Sequence, residues 1–184
     1  MAMIGKRLSP GDPFPALRAR HDAKAFDALE YLSGHWGVVL VYRGDWCPFC
    51  RAQLSNFQRH ISDFERTGVR VLAISVDSEA DATAMVKRSQ LTFPVLYAAD
   101  PDWLAKNLGA YVSDDAHGRY VNSTAFILDP KERVVLAVYS SGAVGRLVAE
   151  DALGLIGYLQ KQPAPALTER HAESGFPVPR GHSI

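Results

Sequence analysis

Val38-Val39-Leu40-Val41-Tyr42-Arg43-Gly44-Asp45-Trp46-Cys47-Pro48-Phe49-Cys50 is the stretch that decides how this chain folds, and it holds both of its cysteines. The valine-rich opening, bounded by Gly37 and Gly44, reads as a strand buried on both faces of a sheet. The segment from Pro48 onward reads as a helix, because Pro48 suits the first helical position and Cys50, Leu54, Phe57, Ile61 and Phe64 recur at steps of four and three along one face. Cys47 then sits at or beside the N-cap, where free backbone N–H groups and the helix dipole favour a thiolate. Cys50 begins the apolar stripe. One helical turn apart, the two sulfurs are placed to close a small disulfide. The expectation is an exposed, nucleophilic Cys47 and a shielded, resolving Cys50.

Three other readings of the motif compete with redox chemistry. A Cys-x-x-Cys pair is half of a structural zinc site, but no second pair exists and His21, His35, His60, His117, His171 and His182 lack ligand spacing. No metal is therefore expected. A structural disulfide across so short a loop removes little chain entropy, and a chain of 184 residues can build its own core. The third alternative is a module that keeps fold and motif but only binds a partner.

Composition narrows the remaining classes. The 20 basic and 20 acidic residues cancel and the positive charges are dispersed, which argues against nucleic-acid binding. No run reaches membrane-spanning length, and Met1 to Arg7 lacks the apolar core of a secretion signal, so the cytoplasm is the expected compartment. Two cysteines confined to one motif fit a reducing environment, where disulfides are transient and catalytic.

Along the chain, the Pro- and Gly-rich Leu8 to Leu17 reads as an entry loop, and Ala23 to Leu32 as a short helix. Val69 to Val76 is a second buried strand; Asp77-Ser78 caps a helix from Glu79 to Ser89. Phe93 to Tyr97 is a short strand, Asp102 to Leu108 a short helix, and Gly109 to Asn122 a mobile surface loop. Thr124 to Asp129 and Val134 to Tyr139 form a hairpin around Pro130-Lys131-Glu132-Arg133, and Val148 to Gln160 a closing helix. One domain over residues 1–161 is expected, with a Pro/Gly-rich tail over 162–184.

This order is that of the thioredoxin fold: α/β, with a central mixed sheet and flanking helices. Gly11-Asp12-Pro13-Phe14-Pro15, the cysteine segment, Leu72-Ala73-Ile74-Ser75-Val76-Asp77, Phe93-Pro94-Val95-Leu96 and Phe126-Ile127-Leu128-Asp129-Pro130 together resemble the alkyl hydroperoxide reductase and thiol-specific antioxidant family. The resemblance spans roughly Leu8 to Gln160 and marks the chain as peroxiredoxin-like. It implies a hydroperoxide or disulfide substrate, thioredoxin or glutathione as electron donor, no cofactor, and allows a homodimer.

The site departs from both patterns it resembles. In the peroxiredoxin register Cys50 takes the peroxide-attacking position, Cys47 replaces a threonine and Arg43 a proline, and Ser123 stands where the activating arginine belongs. In the thioredoxin register Trp46, Cys47 and Cys50 match with Cys47 as attacker. There Val41 replaces the buried acid and Ser123 a cis-proline. Arg43 and Arg51 flank the motif and lower a nearby thiol pKa, while Asp45 opposes them; the alternatives are a solvated Arg51 and an Arg43–Asp45 ion pair. Trp46 reads as core and as a lid over the sulfurs. Catalysis is assigned to Cys47 and Cys50, with Arg43, Trp46, Pro48, Ser123 and Thr124 in support. Reduction of hydroperoxides is the leading reaction and thiol–disulfide exchange the alternative. A non-enzymatic redox sensor is the reading from another class.

Overall fold

A computed structural model describes residues 5–162. In chain order its elements are β1 (Arg18–His21), β2 (Lys24–Asp27), α1 (Ala28–Leu32), β3 (Trp36–Val41), α2 (Pro48–Arg59), α3 (Ile61–Arg66), β4 (Val69–Ile74) and α4 (Glu79–Ser89). Then come β5 (Val95–Leu96), α5 (Pro101–Leu108), β6 (Val112–Asp115), β7 (Gly118–Val121), β8 (Thr124–Leu128), β9 (Val134–Tyr139) and α6 (Ala149–Gln160).

The central sheet runs β5-β4-β3-β8-β9. β3 pairs parallel to β4 and β4 to β5, because each connection crosses through a helix, while β3–β8 and β8–β9 are antiparallel. This is the mixed sheet expected of the thioredoxin fold. Alternation along β3 explains why its whole run is apolar. Val38 and Leu40, with Tyr42 beyond, face a core built with α2, α4 and α6; Val39 and Val41 face one built with α1 and α5. Burial on both faces leaves only the carboxyl end of β3 as a place where chemistry can reach solvent, and the Cys-x-x-Cys turn stands there.

Three expectations need correcting. The stretch from Ala23 to Leu32 is not one helix: β1 and β2 form a hairpin, and only Ala28–Leu32 is helical. Its two-residue turn puts Asp22 at φ 48° and Ala23 at φ 61°, the geometry that Asn-Gly usually signals, so an Asp-Ala turn gave no cue. Asp27 then caps α1, its Oδ1 accepting the N–H of Leu29 at 3.0 Å.

Gly109 to Asn122 is not an irregular loop either. It contains the β6–β7 hairpin, turned by an Asp115 carboxylate that accepts the His117 N–H at 2.8 Å. Finally, the stripe from Cys50 to Phe64 is divided between two helices at His60, whose N–H bonds back to Phe57 at 3.1 Å. The His60 ring bridges Asp63 at 3.3 Å and Glu150 of α6 at 3.1 Å, a structural post between helices. The expected tail from 162 onward lies, past Gln162, outside the described residues.

Candidate active site

Cys47 is the N-cap of α2, and Pro48 opens the helix where its missing N–H costs nothing. The Cys47 Sγ accepts the Cys50 N–H at 3.4 Å, as a capping oxygen would. Cys50 Sγ lies one turn on and receives the backbone N–H of Arg43 at 3.3 Å. The strand end and the first helical turn thus converge on two sulfurs. Both cysteines are free thiols, and both are fully buried. The expected exposure of Cys47 is therefore wrong, because the segment after β9 folds over the helix start.

That segment carries the residue sequence reasoning missed. Arg146 extends Nη2 to 3.7 Å from Cys47 Sγ and 3.4 Å from Cys50 Sγ. Its Nε donates to the Ala143 carbonyl and its Nη1 to Gln53 Oε1, both at 2.9 Å, so the guanidinium is fixed in place. Gln53 is itself buried and donates to the Leu147 carbonyl at 2.9 Å. A guanidinium, expected at Ser123 by the family pattern, does reach the sulfurs, but it comes from another part of the chain. No local pattern signals it, since Arg146 stands 99 residues from Cys47.

The electrostatics separate the two thiols. The Cys50 thiol donating to Cys47 holds Cys47 well below the ordinary thiol range, with Arg146 and Arg43 adding to the effect. The same hydrogen bond, together with burial, pushes Cys50 up. Reduced protein is accordingly expected to be alkylated by iodoacetamide first at Cys47. Its rate should hold down to pH values well under the usual thiol pKa of about 8.5, then fall as acid protonates the thiolate. Peptide mapping across pH checks this; earlier labelling of Cys50 reverses the assignment.

The remaining candidates fall into two groups. Arg43 and Trp46 belong to the site's outer wall. Arg43 Nη2 donates to Tyr120 Oη at 2.7 Å, and its guanidinium covers the Trp46 ring at 4.7 Å. Trp46 stacks on His117 of the β6–β7 turn, centroids 3.9 Å apart and 1° from parallel, and meets Tyr120 edge-on at 5.0 Å. The hairpin expected as a loose loop clamps the cysteine turn. The Arg43–Asp45 ion pair does not form, since Asp45 pairs with Arg88 at 2.6 Å; Arg51 is half-buried and reaches back to the Trp46 carbonyl at 3.2 Å rather than to either sulfur. Ser123 and Thr124 lie buried at the start of β8. Thr124 Oγ1 donates to the Asn122 carbonyl at 3.2 Å, and the Ser123 carbonyl accepts from Ser140 at 2.9 Å. Among the described residues neither hydrogen-bonds a sulfur, and no cluster of three metal-ligating side chains occurs. No helix there is long and apolar enough to cross a membrane.

A dithiol at the carboxyl end of the central strand of such a sheet is the hallmark of thioredoxin-fold thiol proteins. Within that class, the profile of the AhpC/TSA family matches residues 10–137, and the chain belongs to this family. It is 29% identical over 152 residues to a probable 1-Cys peroxiredoxin of Syntrichia ruralis, covering 78% of this chain and 70% of that protein. A peroxiredoxin of Treponema denticola is 28% identical over 146 residues, covering 76% of this chain and 68% of its own. Among solved structures, a peroxiredoxin 6 mutant of Arenicola marina superposes with a TM-score of 0.71 at 23% identity, covering 83% of this chain and 74% of that one; this likeness concerns the fold. The protein is a peroxiredoxin-like thiol oxidoreductase.

Proposed function

We propose that the protein reduces hydroperoxides through a dithiol–disulfide cycle of Cys47 and Cys50. The observation that supports this most is a hydrogen-bonded cysteine pair at a helix N-terminus under one fixed guanidinium. The Cys47 thiolate attacks the peroxide oxygen, the O–O bond breaks, and Cys47 becomes a sulfenic acid while the leaving hydroxide or alkoxide takes a proton from solvent and departs as water or an alcohol. Arg146 faces the negative charge moving from sulfur to the leaving oxygen. Cys50 then attacks the sulfenic sulfur, forming the disulfide and releasing water. Thioredoxin or glutathione, in the cytoplasm, restores the dithiol by exchange.

Family register favours a second reading in which Cys50 attacks first, and the Arg43 N–H and Arg146 both point at its sulfur. The two converge on one product. Reduced protein treated with one equivalent of hydrogen peroxide is expected to lose two hydrogens and to yield a peptide linked between Cys47 and Cys50. Relatives named 1-Cys peroxiredoxins suggest the contrary outcome, a sulfenic acid that persists or oxidises further. That product, or a disulfide between two chains, overturns the cycle.

A further inference from the structure

α6 begins without a cap of its own. Val148 stands at its N-cap in extended backbone, φ −108° and ψ 156°, and valine has no side-chain acceptor to offer. The next residue, Ala149, is fully buried, so its free N–H cannot turn to water and needs a partner within the protein. Asn56 of α2 supplies it. Its Oδ1 accepts the Ala149 N–H at 2.8 Å, and its Nδ2 donates to the two Glu150 carboxylate oxygens at 3.1 and 3.0 Å. Asn56 stands three residues beyond Gln53 on one helix face, so the helix that carries the sulfurs also grips the start of α6.

Arg146 stands three residues before Ala149, and the chain between β9 and α6 does little to place it unaided. Among the described residues, 141–147 make no backbone–backbone hydrogen bond, and Gly145 takes φ 81°. The segment closes on itself through the Ser140 hydroxyl, which donates to the Gly142 carbonyl at 3.0 Å, and through Arg146 Nε on the Ala143 carbonyl. Apart from the contacts of Arg146 with the sulfurs, its bonds to α2 come from Gln53 and, at the downstream end, from Asn56.

We propose that Asn56 is a positioning residue for the thiol chemistry: by capping α6 from α2 it fixes where the chain leaves Arg146, and so holds the guanidinium over Cys47 and Cys50. This deepens the reading in which Arg146 favours the thiolate, and rests on it. Without Asn56 the buried Ala149 N–H loses its acceptor, and the start of α6 has to shift until water reaches it. Arg146 moves with it. The displacement matters because Nη2 meets the sulfurs at 3.4 and 3.7 Å, where attraction weakens with distance and with the entry of water. The charged and titratable groups around Asn56 are Glu150, which His60 Nε2 also contacts, and Asp63 on the other His60 nitrogen; around the sulfurs they are Arg146 and Arg43.

The test follows Cys47 alkylation by iodoacetamide across pH in the reduced full chain, alongside peroxide consumption and thermal denaturation. Asn56→Leu keeps most of the side-chain volume and removes both bonds. The pH at half-maximal alkylation should rise in the direction set by Arg146→Met. Peroxide consumption should slow about tenfold, less than in that variant because Gln53 still holds Nη1. Adding Val148→Ser to Asn56→Leu gives α6 a cap of its own and secures the fold without restoring the tie to α2, so the displaced profile should remain. Asn56→Asp combined with Glu150→Gln keeps an acceptor for Ala149, exchanges donor and acceptor toward position 150, and should return the parent profile. A parent profile in the Asn56→Leu variants, with only the melting temperature lowered, overturns the proposal. So does recovery of the profile on adding Val148→Ser, or a profile that stays displaced in the exchanged pair. If Arg146→Met itself leaves the Cys47 profile at the parent's, the guanidinium does not act on the thiolate, and the reading beneath the proposal fails on its own.

Discussion

Cys47→Ser is expected to reduce peroxide consumption about a thousandfold or more, whereas Cys50→Ser should leave the first oxidation intact and trap Cys47 as a sulfenic acid. The asymmetry arises from the site. Each unit by which a thiol pKa exceeds the working pH removes about tenfold of its thiolate. Cys47 caps α2 and takes a hydrogen bond from the Cys50 thiol, so its thiolate is the stable form. Cys50 is held protonated by its neighbour and by burial; Cys47→Ser removes the first cause and leaves the second, so burial still favours the thiol at Cys50. Stopped-flow tryptophan fluorescence reports the first step because Trp46 adjoins Cys47, and a dimedone adduct on the Cys50→Ser variant identifies the trapped acid. The reverse pattern, with Cys50→Ser silent and Cys47→Ser oxidised, assigns the attack to Cys50.

How much of the molecule was legible in the sequence depends on distance along the chain. The strand from Val38, the cap at Cys47, the helix from Glu79 and the hairpin from Thr124 are local patterns, and the structure has them within one or two residues at most ends. The sheet's mixed pairing came from the order of those elements. What failed locally failed for local reasons: Asp22 and Ala23 carry a left-handed turn without glycine or asparagine, and the His60 break falls inside an unbroken apolar stripe. The site's second half was illegible for a different reason. Arg146, His117, Tyr120 and Asp77 meet the cysteine turn only through tertiary packing, and nothing in the period or spacing of a strand or helix encodes such meetings. Burial of Cys47 belongs to the same group. An N-cap is exposed on an isolated helix, and here the segment carrying Arg146 covers it.

Replacing Arg146 by methionine is expected to slow reaction with hydrogen peroxide about a hundredfold, the cost of removing one preorganised donor from a site of developing charge, roughly 3 kcal/mol. From sequence alone two such donors looked missing, the threonine at Cys47 and the arginine at Ser123, a deficit of about four decades against a complete peroxiredoxin site. Arg146 returns one of them, so about two decades remain. Methionine keeps most of the aliphatic stem while removing the charge, which separates electrostatics from packing. Arg43→Ala provides the comparison. Its guanidinium is engaged with the Tyr120 hydroxyl and the Trp46 face, and only its backbone N–H touches a sulfur, which alanine retains. Its substitution should therefore cost less than that of Arg146, and exchange with small disulfides should barely change. Cys47 alkylation should also need a higher pH in the Arg146→Met variant, because a cation that favours the thiolate has gone. If Arg146→Met consumes peroxide at the parent rate, or Arg43→Ala loses more, the guanidinium over the sulfurs is structural and the activating charge lies on the β6–β7 side of the site.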